Sequence, residues 1–276
     1  MNDAAPEYNL YAIRYATRDA MRSQHFMGGD AHDGPMPMDY FMWVAVGEHH
    51  QVVIDVGFSR EAAEKRGRTF LCEPAESLKL VGVDPIAVSD VILTHLHYDH
   101  AGNLPAFPEA RFHIQESEMH FATGCSIRHR YFSSGYEVED IVNVVRLNYA
   151  RRVMMHKGSA EIVRGIWVEP TPGHSPGQQV VLVNTRRGIV VLASDCVHYY
   201  ENLQRHRPYP SACNVVEMLE SFDKVLQLAG DIDHVIPGHD PLVMQIYPLV
   251  SEALAGQIVR LDVAPSGMPA RRRQKR

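Results

Sequence analysis

The sequence predicts an α/β protein built from two β-sheets with helices on their outer faces. Three observations point there. Two neighbouring β-rich runs lie early in the chain, helix-like and strand-like segments then alternate along it, and no internal repeat or low-complexity linker divides it. A sheet must bury its apolar face, and strands mixed with helices throughout do so by layering. The 276 residues allow one large domain or two small ones. The missing linker favours a single domain over 1–276, with its core at about 8–250.

The elements follow in order. "NLYAIRYA" alternates loosely. Tyr40–Val46 and Gln51–Gly57 flank the turn "GEHH" and read as a hairpin. Ser59 can cap "REAAEKR", and Gly67 can stop it. "EPAESLKLVG" places Pro74 in a first helical turn and Gly82 at its end. "SDVILTH" is a short apolar strand, and "ARFHIQ" is another, followed by the helix-like "ESEMHFAT". Residues from about 125 to 160 are aromatic and charged with weak periodicity, which suggests a helical or loop insertion over one face. "GIWVEP", "QQVVLVN" and "GIVVLAS" are strands again. The clearest helix is "NVVEMLESFDKVLQLAG". Asn214 and Glu217 form a capping pair there, Val215, Leu219, Phe222, Val225 and Leu226 form one stripe, and Gly230 ends it. A last strand, "DHVIP", leads into "GHD".

Composition removes several function classes. A net charge of −6 gives neither nucleic acid nor an anionic membrane a reason to bind the protein as a whole. Cys72, Cys125, Cys196 and Cys213 contain no C-x-x-C pair and are sparse for a disulfide scaffold. Cys196 reads as a small buried residue. The first residues lack an apolar signal region and no window reaches the length of a membrane span, so a cytoplasmic location is expected. The basic run "RRRQKR" at 271–276 reads as a solvated tail.

The chemistry concentrates in "THLHYDH". An extended segment repeats every two residues, so His95, His97 and Asp99 would project from one side, with His100 following at the turn before Gly102. Imidazole and carboxylate together suit zinc or another borderline divalent ion. A His-rich surface turn is the bland alternative. Three later places offer partners: His174 in "TPGHSPG", Asp195 in "VVLASDCV" and His239 in "HVIPGHD". Each alone is an ordinary turn or cap residue. Each also ends a buried strand, where loops can converge on one sheet edge.

With those motifs in order over about residues 8 to 250, the chain resembles the metallo-β-lactamase superfamily. The resemblance implies an αββα sandwich of two mixed sheets, with metals at one edge. It implies that His95, His97 and His174 hold one zinc ion, that Asp99, His100 and His239 hold a second, and that Asp195 bridges them. Asp55 in "VVIDVG" corresponds to a structural aspartate. Iron, cobalt or manganese would suit the same donors. Within the superfamily, "PMPMDYFMWVAV", "LTHLHYDHAGN", "TPGHSPGQ" and "IPGHD" are most similar to the N-acyl-homoserine lactonase, or quorum-quenching, branch.

That likeness implies lactone hydrolysis by a metal-bridging hydroxide, with Asp99 relaying the proton. Many such lactonases carry a carbonyl-binding tyrosine three residues after the bridging aspartate. Here that position is His198, followed by Tyr199, and either could donate to an oxyanion. Met36, Met38, Tyr131, Phe132 and Tyr136 are candidate pocket residues, with Phe26, Met27 and Tyr149 behind them. Core packing is the bland reading of each. The partner implied is a small lactone or ester, and a homodimer stays open. Competing functions are hydrolysis of another lactone, a thioesterase of the glyoxalase II kind, and a metal-holding ligand sensor. A β-lactamase is disfavoured because no export signal is visible.

Overall fold

In the computed structural model, which describes residues 5–267, β1 (Asn9–Arg18) and β2 (Met38–Val46) pair antiparallel along almost their whole length. The expected basic tail at 271–276 lies outside the described residues. Phe41, Trp43 and Ala45 enter one core cluster, while Tyr40, Met42 and Val44 enter another. That split is the period of two expected of a strand. Both faces of β2 are covered, which is why it reads as an unbroken apolar run.

The remaining strands are β3 (Gln51–Ile54), β4 (Thr69–Phe70), β5 (Asp90–Ile92), β6 (Arg111–Gln115), β7 (Val153–His156), β8 (Ala160–Val163), β9 (Ile166–Pro170), β10 (Gln179–Thr185), β11 (Gly188–Ser194), β12 (Val235–Pro237) and β13 (Ile258–Arg260). The first sheet runs β13-β1-β2-β3-β5-β6-β7, with β4 paired to β1. The second runs β12-β11-β10-β9-β8. One core cluster fills the space between the sheets and continues under the helix Val215–Ala229. The other lies between the first sheet and its outer helices, including Ala63, Met119 and Val144. The layering is αββα.

Local signals account for the helix ends. Ser59 accepts from the Ala62 N–H, and Gly67 closes the helix Arg60–Arg66 at φ 63°. Asn214 accepts from the N–H groups of Val216 and Glu217. Two segments differ from expectation. Residues 74–81 form a short α turn followed by a 3-10 turn rather than one helix. The stretch 125–160 holds the helix Val138–Tyr149 but ends in β7 and β8. β7 is identified by its parallel pairing with β6, since only Val153 among its residues is fully buried and no period shows.

Strand direction positions the site. β3, β5, β6 and β7 are parallel, so their C-terminal ends share one edge. In the second sheet β9 and β11 are each antiparallel to β10, and β12 is parallel to β11, so those three also end together. The two edges meet: Thr94 Oγ1 lies 2.8 Å from Ser194 Oγ, and the Gln179 N–H donates to Thr94 O at 2.9 Å.

Candidate metal centre

The loop after β5 is built on Asp55. Its carboxylate accepts from Thr94 N at 2.7 Å and Thr94 Oγ1 at 2.8 Å, and lies 2.7 Å from His100 Nδ1. Asp55 and Ser194 both adopt left-handed backbone, at φ 58° and 46°. Non-glycine residues hold such conformations only where the surroundings over-determine them, commonly at functional sites. The strand ends at Ile92, and a helical turn, Tyr98–Ala101, presents Asp99 and His100. Strand alternation is therefore not what aims Asp99 inward. The turn is stabilised by the His97 carbonyl, which accepts from the N–H groups of His100 and Ala101.

Two groups of side chains converge. His95, His97, His174 and Asp195 form one, and Asp99, His100, Asp195 and His239 form the other, with ligand-type atoms within 4.8 Å of one another. Asp195 is common to both. Its Oδ1 is 2.9 Å from His239 Nε2 and 3.2 Å from His100 Nε2, and its Oδ2 is 3.4 Å from His174 Nε2 and 3.9 Å from His95 Nε2.

The outer nitrogens decide what these atoms can be. His239 Nδ1 faces Asp39 O at 2.7 Å, His174 Nδ1 faces Ser211 O at 3.0 Å, and His100 Nδ1 faces Asp55. A carbonyl or carboxylate oxygen accepts, so each Nδ1 carries the proton and a neutral ring turns an Nε2 lone pair inward. Three lone pairs then point at a carboxylate, and His174 Nε2 sits 2.8 Å from His97 Nδ1. The Nε2 atoms of His95 and His100 and Oδ1 of Asp195 are buried without hydrogen-bond partners. Acceptors facing acceptors need cations between them, and this donor set fits two borderline divalent ions.

The electrostatics favour the neutral form at His95 and His97, and at His100 and His239 they favour a proton where the cation would sit. Burial pushes His95 and His97 well below the usual imidazole range, towards the neutral form that binds metal. Burial also opposes charge on Asp195, yet the imidazoles of His239, His100 and His198 hold its carboxyl well below the usual range. Burial disfavours charge on His100 and His239 as well, but Asp195 draws both upward.

Residues that the sequence reading missed support these ligands. Buried Glu118 accepts from Leu96 N at 3.1 Å, Tyr136 OH at 2.9 Å, Ser175 Oγ at 2.6 Å and Gly177 N at 3.1 Å. It thereby ties the His97 loop to the His174 loop. A Cβ on Gly135 would lie 2.5 Å from His97 Nε2, so only glycine admits that ring. Tyr209 stacks on His198, with centroids 3.5 Å apart, and its hydroxyl donates to Asp195 O. In sequence, Glu118 lies in the helix-like run "ESEMHFAT" two residues after Glu116, with nothing to set the two apart.

A profile of the Metallo-beta-lactamase superfamily matches residues 37–239, which take in all seven candidate ligands. The chain belongs to this superfamily. An N-acyl homoserine lactonase of Bacillus cereus is 32% identical over 133 residues, 48% of this chain and 48% of that protein. The chain thus spans about half the length of the Bacillus relatives it matches. N-acyl homoserine lactonase AttM of Rhizobium radiobacter is 27% identical over 235 residues, 77% of this chain and 85% of that one. A solved quorum-quenching N-acyl homoserine lactone lactonase superposes with a TM-score of 0.72 at 24% identity, covering 87% of this chain and 95% of that one, a likeness of fold.

The metallo-beta-lactamase centre opens into a cleft of about 480 Å³. Met38, Tyr131 and Phe132 line it, as do His198, Asp99 and three arginines, Arg18, Arg66 and Arg68. Five expected residues lie elsewhere. Met36 is outside the lining, in contact with Arg22. Tyr136 lies behind His97, edge to ring at 4.6 Å, with its hydroxyl committed to Glu118. Tyr199 is buried, its hydroxyl 3.0 Å from Pro37 O and 3.1 Å from His25 Nε2, so it faces away from the cleft. Phe26 is buried and Tyr149 exposed, and neither reaches the cleft. Cys196 is buried, and burial pushes its thiol up to about 12, as suits an inert packing residue. No described helix is long and apolar enough to cross a membrane.

Proposed function

We propose that this chain is a metal-dependent hydrolase that opens a lactone ring, with N-acyl homoserine lactones as the first candidate substrates and two zinc ions as the first candidate metals. The observation that carries this reading is Asp195, shared by two ligand groups at the foot of an open cleft. Two divalent ions held there would acidify water and polarise a carbonyl. His95, His97 and His174 would hold one ion, and Asp99, His100 and His239 the other, with Asp195 between them.

The remaining roles fall to this chain's own groups. Burial pushes His198 down to about 3, so it is neutral at physiological pH and has one N–H to give. Its Nε2 lies 3.1 Å from Asp195 Oδ2, and Tyr209 holds the ring flat. A carboxylate oxygen accepts, so that N–H is on Nε2 and faces Asp195 Oδ2; we assign it to the substrate carbonyl oxygen in the loaded site, where the ions would take up the Asp195 oxygens. Asp99 Oδ2 lies 3.6 Å from His100 Nε2 and 3.7 Å from His239 Nε2, and we assign to its carboxylate the transfer of a proton to the departing ring oxygen. The balance is one water added across the ester bond: the acyl carbon gains a hydroxyl and the ring oxygen gains a hydrogen.

A hydrolysis screen over lactones, esters and thioesters, on protein of measured metal content, tests this reading. Lactones should be turned over. Asp99→Ala and His97→Ala should each lose activity together with full metal loading. An active, metal-replete variant overturns the assignment, and a metal-replete wild type inert on every class overturns the hydrolase.

A further inference from the structure

The cleft wall formed by β4, β1 and β2 carries a charge pattern that lactone hydrolysis does not require. In these antiparallel strands Phe70 lies opposite Ala16, and Ala16 opposite Tyr40. Two residues along, on the same face, Arg18 lies opposite Met38. Arg68 stands one position beyond the last β4–β1 pair, Thr69 with Thr17, so the same register brings it opposite Arg18. Arg68, Arg18 and Met38 thus form one row, and all three line the cleft. Like charges directly opposite across an antiparallel pair are destabilising.

Asp99 acts on Arg68 from across the cleft, but without a contact. Arg66 is committed, with Glu137 at 2.7 Å and its guanidinium 3.8 Å from the Tyr98 ring centroid. Among the described residues, no carboxylate lies within ion-pair distance of Arg18 or Arg68. Arg68 Nε donates to Tyr98 OH at 3.1 Å and one terminal nitrogen donates to Arg66 O at 2.6 Å, which fixes the fork and leaves the other terminal nitrogen uncommitted. Arg18 Nε is buried with no partner, an expensive arrangement for a polar atom. The row also adjoins the metal groups: the Arg68 guanidinium is 6.0 Å from the Tyr40 ring, which packs edge-on to His239 at 5.1 Å.

We infer that Arg18 and Arg68 form an anion subsite for a carboxylate carried by the substrate, so that the favoured lactone is itself an acid. Guanidinium forks match the planar carboxylate in two-point hydrogen bonding. A bound carboxylate would supply negative charge to the pair and take up the uncommitted terminal nitrogen of Arg68. Specificity would then come from this row, and an uncharged acyl lactone would leave both cations unpaired. The inference rests on the hydrolase reading and, within it, ranks an acidic lactone ahead of the uncharged N-acyl homoserine lactones.

The test compares γ-butyrolactone-γ-carboxylate with its methyl ester on the metal-loaded protein. The acid should be preferred by about tenfold or more in kcat/KM, as expected for charge-assisted hydrogen bonds. That preference should weaken as ionic strength rises. In R18M and in R68M, at matched metal content, the acid-to-ester ratio should fall to about one, chiefly through KM for the acid. R18K should retain part of the preference. If R18M does not fold, R68M and the salt series carry the same comparison. A wild type that handles both compounds equally, or a ratio unmoved by both variants, overturns the subsite. If neither compound is hydrolysed, the lactonase reading is at fault, and calorimetric binding of the two compounds decides the subsite. Tighter binding of the acid that is lost in R18M or R68M upholds it, and equal binding of acid and ester overturns it.

Discussion

Ser175 Oγ donates to Glu118 Oε2 at 2.6 Å, and through Glu118 the loop of His174 is tied to the loop of His95 and His97. The other Glu118 oxygen takes Leu96 N–H and Tyr136 OH. Burial alone pushes this carboxyl up, and the donors that surround it oppose that rise.

Glu118→Gln replaces an acceptor by an amide N–H₂ that faces donors. Supports of this kind typically carry about 10- to 100-fold in metal affinity. The variant should fold yet lose metal by that factor in competition with a chelating dye. Wild-type retention would remove Glu118 from the site's architecture.

Gly135→Ala places a methyl 2.5 Å from His97 Nε2, and Tyr98 N–H already donates to Gly135 O at 2.9 Å, so neither side can retreat freely. Metal stoichiometry should fall from about two towards one, because His97 belongs to only one of the two ligand groups. Far-ultraviolet circular dichroism should be unchanged. Full occupancy of both sites would contradict this.

Tyr131 is exposed, yet its hydroxyl donates to both Pro210 O at 2.7 Å and Ala212 O at 2.9 Å, pinning the helical turn Arg130–Ser133 to the loop that carries Tyr209 and Ser211. Tyr131→Phe should raise KM several-fold and speed proteolysis near residue 210 while metal content holds. Unchanged KM and proteolysis would mean that the turn is secured by packing alone.

Much of the fold was readable because β2, β10, β11 and the helix Val215–Ala229 have long apolar patterns of clear period. The convergence of the candidate ligands was readable because "THLHYDH" is improbable as a mere turn. β7 and β8 were not, since they are four residues each and only one of their residues, Val153, is fully buried. Nor was the displacement of Tyr199: it is buried where its neighbour His198 meets the cleft, and only the helix that starts at Tyr200 turns them apart. Arg18 and Arg68 stand 50 positions apart, and the β1–β4 ladder that unites them is two pairs long.

Metal removal should make stability depend on pH in a defined direction. His100 and His239 are drawn above the usual imidazole range by Asp195, against the opposing effect of burial. A raised folded-state value stabilises below the unfolded value of about 6.5 and is lost as pH rises through the folded one. The Tm difference between metal-loaded and chelated protein should therefore widen as pH increases from about 6.5 to 9. A constant difference would show that these imidazoles do not take up protons when the ions leave.

The division of ligands between the two sheets also has a consequence in time. A growing chain makes His95, His97, Asp99 and His100 first, and His174, Asp195 and His239 only after 74, 95 and 139 more residues have followed His100. Domains generally acquire structure as units during synthesis, at about 5–20 residues per second. For many seconds the first four donors are therefore present without the aspartate that both groups share. An ion captured then would rest on a partial set, whereas one bound after β12 has docked would meet all seven candidate donors. Which element the finished protein holds would thus be set by what is abundant when its last ligand arrives.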